Sequence, residues 1–359
     1  EAHDDVPLTD VEFFQFESVM DKIEKNTETD NSLWTEQAVL KSFDTNVVSW
    51  KNVNYTVNGK HLLKDVSGYI SSGLTALMGE SGAGKTTLLN VISQRIEKGV
   101  VNGELLVNGC AIKDKNAFKR SVGYVQQQDV HIKLLTVWES LEISCRLRGD
   151  GDLLYAEKVL DMLKLPREKL FKDLNPAEKK LLSIGVELVT KPSLLLFLDE
   201  PTSGLDSEAA VTIIKFLKKL TAQGQAVFCT IHQPSKNIFS YFDNVLLLRK
   251  GGECVYFGPR DQIYDYVKRH YSISYDKETE NPAELVLDAI GAGANSDSNI
   301  DWLSIWNSSK EKKDITDIIS QLEDKALADG TNYIEFLHKT PSYLTQLFIV
   351  TKRQYLSIT

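Results

Sequence analysis

Cysteine is scarce and scattered. The four present, Cys110, Cys145, Cys229 and Cys254, contain no C-x-x-C pair. A disulfide scaffold or a zinc framework needs clustered cysteines, so these read as free thiols of a reducing compartment. Long apolar runs are missing too. None approaches the roughly 18 residues that cross a bilayer, and the chain as given is expected to be soluble. Positive charge is not in excess: 41 Lys and Arg stand against 50 Asp and Glu, for a net charge of −9. A broad nucleic-acid-binding surface is thereby disfavoured, and no nucleic acid is expected as a partner. There is no signal-peptide pattern and no initiating Met, so the chain reads as a piece of something longer. No internal repeat suggests a solenoid.

What is present begins with Gly79-Glu80-Ser81-Gly82-Ala83-Gly84-Lys85-Thr86-Thr87, a G-x-x-x-x-G-K-T phosphate-binding loop. Leu74-Thr75-Ala76-Leu77-Met78 before it is a short apolar strand. Leu88-Leu89-Asn90-Val91-Ile92 after it has helical spacing. A loop between strand and helix is the context this motif requires. Its backbone N–H groups, at the positive end of the helix, are expected to wrap the phosphates of ATP. Lys85 is expected to reach the β/γ oxygens, and the Thr86 hydroxyl to ligate Mg²⁺.

Residues 1–44 are acidic and read as a linker with a short helix near Phe14 to Ile23, or equally as a disordered tail. Strand patterning starts at Val47 and runs to Val57. Asn58-Gly59 is a hairpin turn, and His61-Leu62-Leu63 resumes the strand. Leu105-Leu106-Val107-Asn108-Gly109 repeats that signal, so an antiparallel β region flanks the phosphate loop. Residues from about 137 to 190 are mostly helical by spacing, with Leu160, Leu163, Leu165 and Leu170 as core positions. Ser193 to Leu198 and Ala226 to Ile231 are almost wholly apolar strands, joined by a helix from about Ser207 to Leu220. Continuous apolar strands in a strand–helix–strand unit indicate a parallel sheet covered on both faces. The fold class is therefore α/β. After Gly258-Pro259 the chain becomes more helical and polar, with a flexible connection at Gly291-Ala292-Gly293-Ala294-Asn295-Ser296.

The second apolar strand of chemical interest ends in Asp199-Glu200. Such a strand delivers Asp199 to the Mg²⁺ shell at its C-terminal end. Glu200 is placed near the water that attacks the γ-phosphate, as general base. Taken alone, the pair would read as the cap of a helix at Pro201; the upstream phosphate loop favours the catalytic reading. His232 lies just beyond the other apolar strand, suited to touch the γ-phosphate and to hold Glu200 and the water. Gln127 is a candidate ligand of Mg²⁺ or water, in competition with Gln126 and Gln128. Only one can point inward if the strand continues through them.

These elements, in this order, resemble an ATP-binding cassette (ABC) domain of the G type. The details resemble in particular the second cassette of fungal pleiotropic-drug-resistance full-size transporters. Family-like phrases are Leu74 to Thr87, Ile184-Gly185-Val186-Glu187-Leu188, Cys229 to Ser235, Asn281-Pro282-Ala283-Glu284 and the region of Trp306-Asn307-Ser308. The likeness covers about residues 45–359. It implies a P-loop NTPase (RecA-like) core of mostly parallel strands, with an antiparallel β subdomain and an α-helical subdomain at about 137–190. It implies a cassette over 45–258, an extension over 259–340, and an amphipathic connecting helix over 341–359 leading to a membrane domain. In that helix Leu344, Leu347, Phe348, Tyr355 and Leu356 form an apolar face, with Lys352 and Arg353 for lipid headgroups; an ordinary packed helix is the alternative. Gln127 is the loop glutamine on the membrane-domain side. Ser203, Gly204, Leu205 and Asp206 form the D-loop at the dimer interface. The family stacks an aromatic on adenine from the first strand; Tyr55 is the nearest candidate, with Trp50 behind it and Val57 as the alternative.

One element departs from the pattern. The family's serine-glycine-glycine signature, offered in trans to a partner's ATP, is replaced by Leu174-Asn175-Pro176-Ala177-Glu178. Pro176 removes a backbone donor, and Ala177 adds a Cβ where close approach is needed. As local structure the segment is a helix start, with Asn175 as N-cap, Pro176 in the first turn and Glu178 closing a capping box. The expectation is an asymmetric ATPase. This chain supplies Lys85, Asp199, Glu200 and His232 to one site completed by the signature of the other cassette of the same transporter. The alternative is a regulatory cassette with little turnover. Expected partners are that second cassette and transmembrane domains. The cargo is hydrophobic (drug, lipid or sterol, with a lean to lipid or sterol) and bound elsewhere. The expected location is the cytosolic face of a membrane, the plasma membrane by resemblance.

Overall fold

A computed structural model describes residues 46–271, 280–291, 300–331, 333–334 and 341–356, with the side chains of 333, 334, 355 and 356 left out. The expected helix at Phe14 to Ile23 and most of the connection after Gly291 lie outside the described residues. So do the side chains of Tyr355 and Leu356.

The strands are β1 (Val48–Val57), β2 (Lys60–Ile70), β3 (Leu74–Gly79), β4 (Val100–Val107), β5 (Cys110–Ile112), β6 (Val122–Val125), β7 (Leu195–Leu198), β8 (Val227–Thr230), β9 (Asn244–Arg249), β10 (Glu253–Pro259) and β11 (Tyr333–Ile334). The helices used below are α1 (Lys85–Ile92), α2 (Val137–Arg148), α3 (Leu153–Leu163), α4 (Pro176–Leu188), α5 (Ser207–Ala222), α6 (Pro282–Ala289), α7 (Lys310–Ala328) and α8 (Tyr343–Leu356). The strand order is β11-β5-β4-β1-β2-β10-β9-β3-β8-β7-β6. Towards one end the β1–β2, β1–β4 and β4–β5 pairs are antiparallel, with β11 added parallel to β5 at the edge. The other is a parallel block in which β3 lies between β9 and β8, followed by β7 and β6. The antiparallel pair β9–β10 was not anticipated from the sequence.

The parallel strands are apolar throughout because both faces are covered. Leu74, Leu77, Leu195, Leu196, Val227, Phe228, Leu246 and Leu247 are all fully buried. The antiparallel hairpins turn where expected. Asn58 and Gly59, and again Asn108 and Gly109, hold positive φ, as a two-residue hairpin turn demands. Helices α2, α3 and α4 form the helical group expected over 137–190, and their starts are capped by local chemistry. Thr136 with Glu139 and Asn175 with Glu178 form capping boxes, and Asp152 caps α3. Leu160, Leu163 and Leu165 are buried as expected, whereas Leu170 is only half-buried.

Helix α7 is tied to the antiparallel end. Lys51 pairs with Glu323 at 2.9 Å, and Lys312 with Asp65 at 2.8 Å. All four cysteines are free and buried. No helix among the described residues is long and apolar enough to cross a membrane.

Candidate functional site

Strand order builds the site. In the parallel block, β3, β8, β7 and β6 are consecutive neighbours. Their C-terminal ends carry, in turn, the phosphate loop, His232, the Asp199-Glu200 pair and Gln127. Residues spread over more than a hundred positions thus come to one sheet edge.

The loop is shaped by glycines. Gly79 has φ +150°, and a Cβ there would lie 2.3 Å from the Leu248 carbonyl oxygen of neighbouring β9. Gly84, at φ +102°, is the N-cap of α1. Lys85 is buried, and its Nζ donates to the carbonyls of Gly79 at 2.8 Å and Glu80 at 3.0 Å. Burial pushes the ammonium below its ordinary range, while the carboxylates of Glu200, Asp199 and Glu80 act to raise it. Ser81, Gly82 and Thr86 are exposed, Ala83 is buried, and Glu80, Gly84 and Thr87 are intermediate.

Thr86 Oγ1 donates to Asp199 Oδ1 at 3.0 Å. Asp199 is buried and also accepts from Thr230 Oγ1 at 2.7 Å. The Thr230 oxygen in turn accepts from the Glu200 backbone N–H at 2.7 Å. Thr230 was not singled out in the sequence; it lay within the Cys229 to Ser235 phrase, where His232 carried the argument. Glu200 has φ +46°, a left-handed conformation that costs a non-glycine residue roughly 1–2 kcal/mol. Its side chain accepts from Gln127 Nε2 at 2.8 Å.

The competition among the three glutamines is resolved by the end of β6 at Val125. No strand runs through them, so alternation does not apply, and Gln127 is the one whose side chain reaches Glu200. Its amide nitrogen is engaged there, leaving the amide oxygen for a metal or water. His232 is exposed, two residues past β8. The turn that follows is pinned by Asn281 at the start of α6, whose Nδ2 donates to the Pro234 carbonyl at 2.9 Å.

Tyr55 is not placed to stack on a base. It is buried, and its hydroxyl donates to the Lys98 carbonyl at 2.7 Å. Register irregularities flank Tyr55 on β1, between Val53 and Tyr55 and between Tyr55 and Thr56. Trp50 is likewise fully buried, and Val57 is half-buried.

In the Leu174–Glu178 segment, the Glu178 backbone N–H donates to Asn175 Oδ1 at 2.9 Å, and the Asn175 N–H to Glu178 Oε2 at 2.8 Å. Lys169 also holds Glu178, at 2.8 Å. Asn175 and Pro176 are exposed, Ala177 intermediate and Leu174 buried. In the segment expected to be the D-loop, Ser203 and Gly204 are exposed, Leu205 is intermediate, and Asp206 caps α5 by accepting from the Ala209 N–H at 2.9 Å.

The donor set suits a nucleotide with Mg²⁺. A hydroxyl and a carboxylate oxygen are hard ligands, and Mg²⁺ takes its remaining positions from phosphate and water. No cluster of three or more His, Cys, Asp or Glu able to hold a metal occurs among the described residues.

Comparison with known proteins agrees with this geometry. A family model described as ABC transporter matches residues 63–203, and one described as ABC-2 type transporter matches residues 232–303. The chain is 58% identical over 339 residues to the ATP-dependent permease AUS1 of Saccharomyces cerevisiae, covering 90% of this chain and 24% of that protein. It is 54% identical over 346 residues to the ATP-dependent permease PDR11 of the same yeast, with the same coverage of each. To the brefeldin A resistance protein of Schizosaccharomyces pombe it is 45% identical over 318 residues, covering 82% of this chain and 20% of that one. The chain thus spans about a quarter of the length of the curated relatives it matches. Among solved structures, the ADP conformation of an ATP-binding cassette of an ABC transporter superposes with a TM-score of 0.53 at 22% identity, covering 61% of this chain and 94% of that one; this likeness speaks for the fold. With the phosphate loop, the carboxylate pair and these relatives in agreement, the chain belongs to the ABC transporter family, as an ATP-binding cassette akin to those of the fungal ATP-dependent permeases.

Proposed function

We propose that this cassette hydrolyses ATP at one composite site to power translocation by a full-size membrane transporter. The observation that carries this reading is the bonded web Thr86–Asp199–Thr230–Glu200–Gln127 across four strand ends. Lys85 binds and orients the phosphates, and Thr86 with Asp199 holds Mg²⁺. Bound Mg²⁺ supplies neutralisation of phosphate charge. Glu200, aimed by Gln127 and Thr230, takes the proton of the attacking water, an effect of order 10²- to 10⁴-fold in rate. His232 positions the γ-phosphate side of that arrangement.

The signature for this site comes from the other cassette, since Asn175-Pro176-Ala177 offers neither the hydroxyl nor the bare backbone of a serine-glycine-glycine segment. The chain's own signature faces the partner's nucleotide in a site with little turnover, and the Ser203–Asp206 segment lies between them. Residues 1–44 act as a linker, 45–258 as the cassette and 259–340 as its extension.

Residues 341–359 lead to the membrane domain on the cytosolic face, at the plasma membrane. The exposed Leu344, Leu347 and Phe348 of α8 support that orientation, with Ile349 buried against Leu135 and Ile143. The cargo is hydrophobic and bound in membrane helices. Support comes from relatives described as a brefeldin A resistance protein and a multidrug transporter.

The test is Mg-ATP hydrolysis by this chain over a range of concentrations, alone and with the other half of the transporter, with Glu200→Gln as control. Turnover that needs the other half and disappears in the control is expected. Turnover by the chain alone, rising with concentration, would remove the asymmetric scheme. Tight ATP retention without turnover beside the other half would make it a regulatory cassette.

A further inference from the structure

Helix α4 carries a buried polar stripe. Lys180, Ser183 and Glu187 lie at i, i+3 and i+7, one face of a helix, and are 2%, 8% and 8% exposed. All three reach into the same short segment, residues 124–131. Lys180 Nζ donates to the carbonyls of Gln127 at 2.9 Å and Gln126 at 3.4 Å, and pairs with Asp129 at 2.9 Å. Ser183 Oγ donates to Asp129 at 2.7 Å and contacts His131 Nε2 at 2.8 Å. Glu187 accepts from the Tyr124 N–H at 3.1 Å and is itself clamped by both terminal nitrogens of Arg148, at 2.7 and 2.5 Å.

We infer that Lys180 is a positioning residue for Gln127, and that the stripe it belongs to fastens the Gln127 loop to the helix that begins at Asn175. A satisfied polar patch in a core would be the simpler reading. Two features argue past it. A buried ammonium costs several kcal/mol in desolvation, so an apolar side chain would pack here at less cost unless the position is needed. Moreover, the loop has left strand β6 at Val125 and so has no ladder to hold it. Among the described residues, the backbone carbonyls of Gln126 and Gln127 are held by Lys180. Gln127 is also the residue whose amide sits on Glu200. A chain of direct contacts therefore runs from the start of α4 through Lys180 and Gln127 to Glu200. Any displacement of the signature helix is carried to the carboxylate of the same chain.

This inference rests on the reading that Glu200 is the general base oriented by Gln127. It is tested in the intact full-size transporter, reconstituted in lipid vesicles, by steady-state ATP hydrolysis and equilibrium ATP binding. Variants are Lys180→Met, Gln127→Ala, the double variant, and Glu200→Gln as reference. Lys180→Met is expected to lower kcat by about tenfold or more, as a misplaced catalytic group does, with ATP affinity within about twofold of the parent. In the Gln127→Ala background the same substitution is expected to cost less than about twofold, because the two act through one link. A multiplicative double variant, or an unchanged kcat in Lys180→Met, would overturn the inference. Should Lys180→Met fail to fold, Asp129→Asn loosens the same ammonium; it is expected to lower kcat in the parent but not in Gln127→Ala, and an equal loss in both overturns the inference. Failure of the underlying reading shows separately, as parental hydrolysis by Glu200→Gln.

Discussion

Gln127 Nε2 donates to Glu200 Oε2 at 2.8 Å, joining the loop after β6 to the end of β7. Glu200 is thus held at both ends: its side chain by Gln127, its backbone N–H by Thr230 Oγ1 at 2.7 Å. The left-handed backbone at Glu200 is maintained by these two bonds rather than by its intrinsic preference.

Thr230→Val should therefore separate binding from hydrolysis. The substitution keeps the shape of a fully buried residue but orphans the Glu200 N–H and removes one donor from Asp199. A loss of about 1–3 kcal/mol in stability is expected for the unsatisfied group. Hydrolysis in the intact transporter should fall by more than ATP affinity does. Denaturant titration of the chain and kcat measured beside ATP affinity check both halves.

Lys85→Ala should abolish productive nucleotide binding. The ammonium organises the loop through the Gly79 and Glu80 carbonyls before any phosphate arrives. Loss of a charge-assisted contact to phosphate is expected to weaken ATP by at least about tenfold. Direct titration of ATP into parent and variant decides it, and equal affinities would count against the assigned role.

Replacing Asn175-Pro176-Ala177 by Ser-Gly-Gly should leave this chain's own ATP affinity unchanged, because the segment acts in trans. The helix start will weaken: a glycine for Ala177 alone costs roughly 1 kcal/mol. Serine and Glu178 still form a capping box, so the helix itself persists. In the intact transporter, hydrolysis at the second composite site should rise if the partner's residues there permit it. A large drop in ATP affinity of the isolated chain would contradict the trans assignment.

His131 makes the helix–loop junction sensitive to acid. Burial holds its imidazole below the ordinary histidine range, with Lys180 lowering it further and Asp129 and Glu187 acting to raise it. Below about pH 6.5 the unfolded chain takes up a proton that the folded His131 resists. Stability present above that pH is lost as the pH falls toward the folded value. The parent is expected to lose more thermal stability between pH 7.5 and 5.5 than His131→Asn. Parallel pH slopes for the two would show that His131 contributes nothing to them.

Much of the scaffold could be read locally. The phosphate loop, the Asn58-Gly59 turn, the capping boxes and the apolar strand ending in Asp199-Glu200 are each encoded within a few neighbouring residues. Their cause is local as well: backbone φ preferences, cap hydrogen bonds and side-chain periodicity. Tyr55 escaped that logic because a place on the first strand does not say which way a ring turns; the fold buries it, with the hydroxyl on the Lys98 carbonyl. Thr230 and Lys180 escaped because neither stands in a pattern that marks its partners.

Taken by itself, the chain's order of residues determined the kind of chemistry available, through a loop shaped for phosphate, a carboxylate pair and a histidine at strand ends. Tertiary structure alone decided which of these meet. The adjacency of β6 to β7 and of β8 to β3 depends on long crossovers whose routes no local pattern specifies. Only that strand order brings Gln127 to Glu200 and Thr230 to Asp199. Only the docking of α4 on the loop after β6 gives a buried lysine its three acceptors.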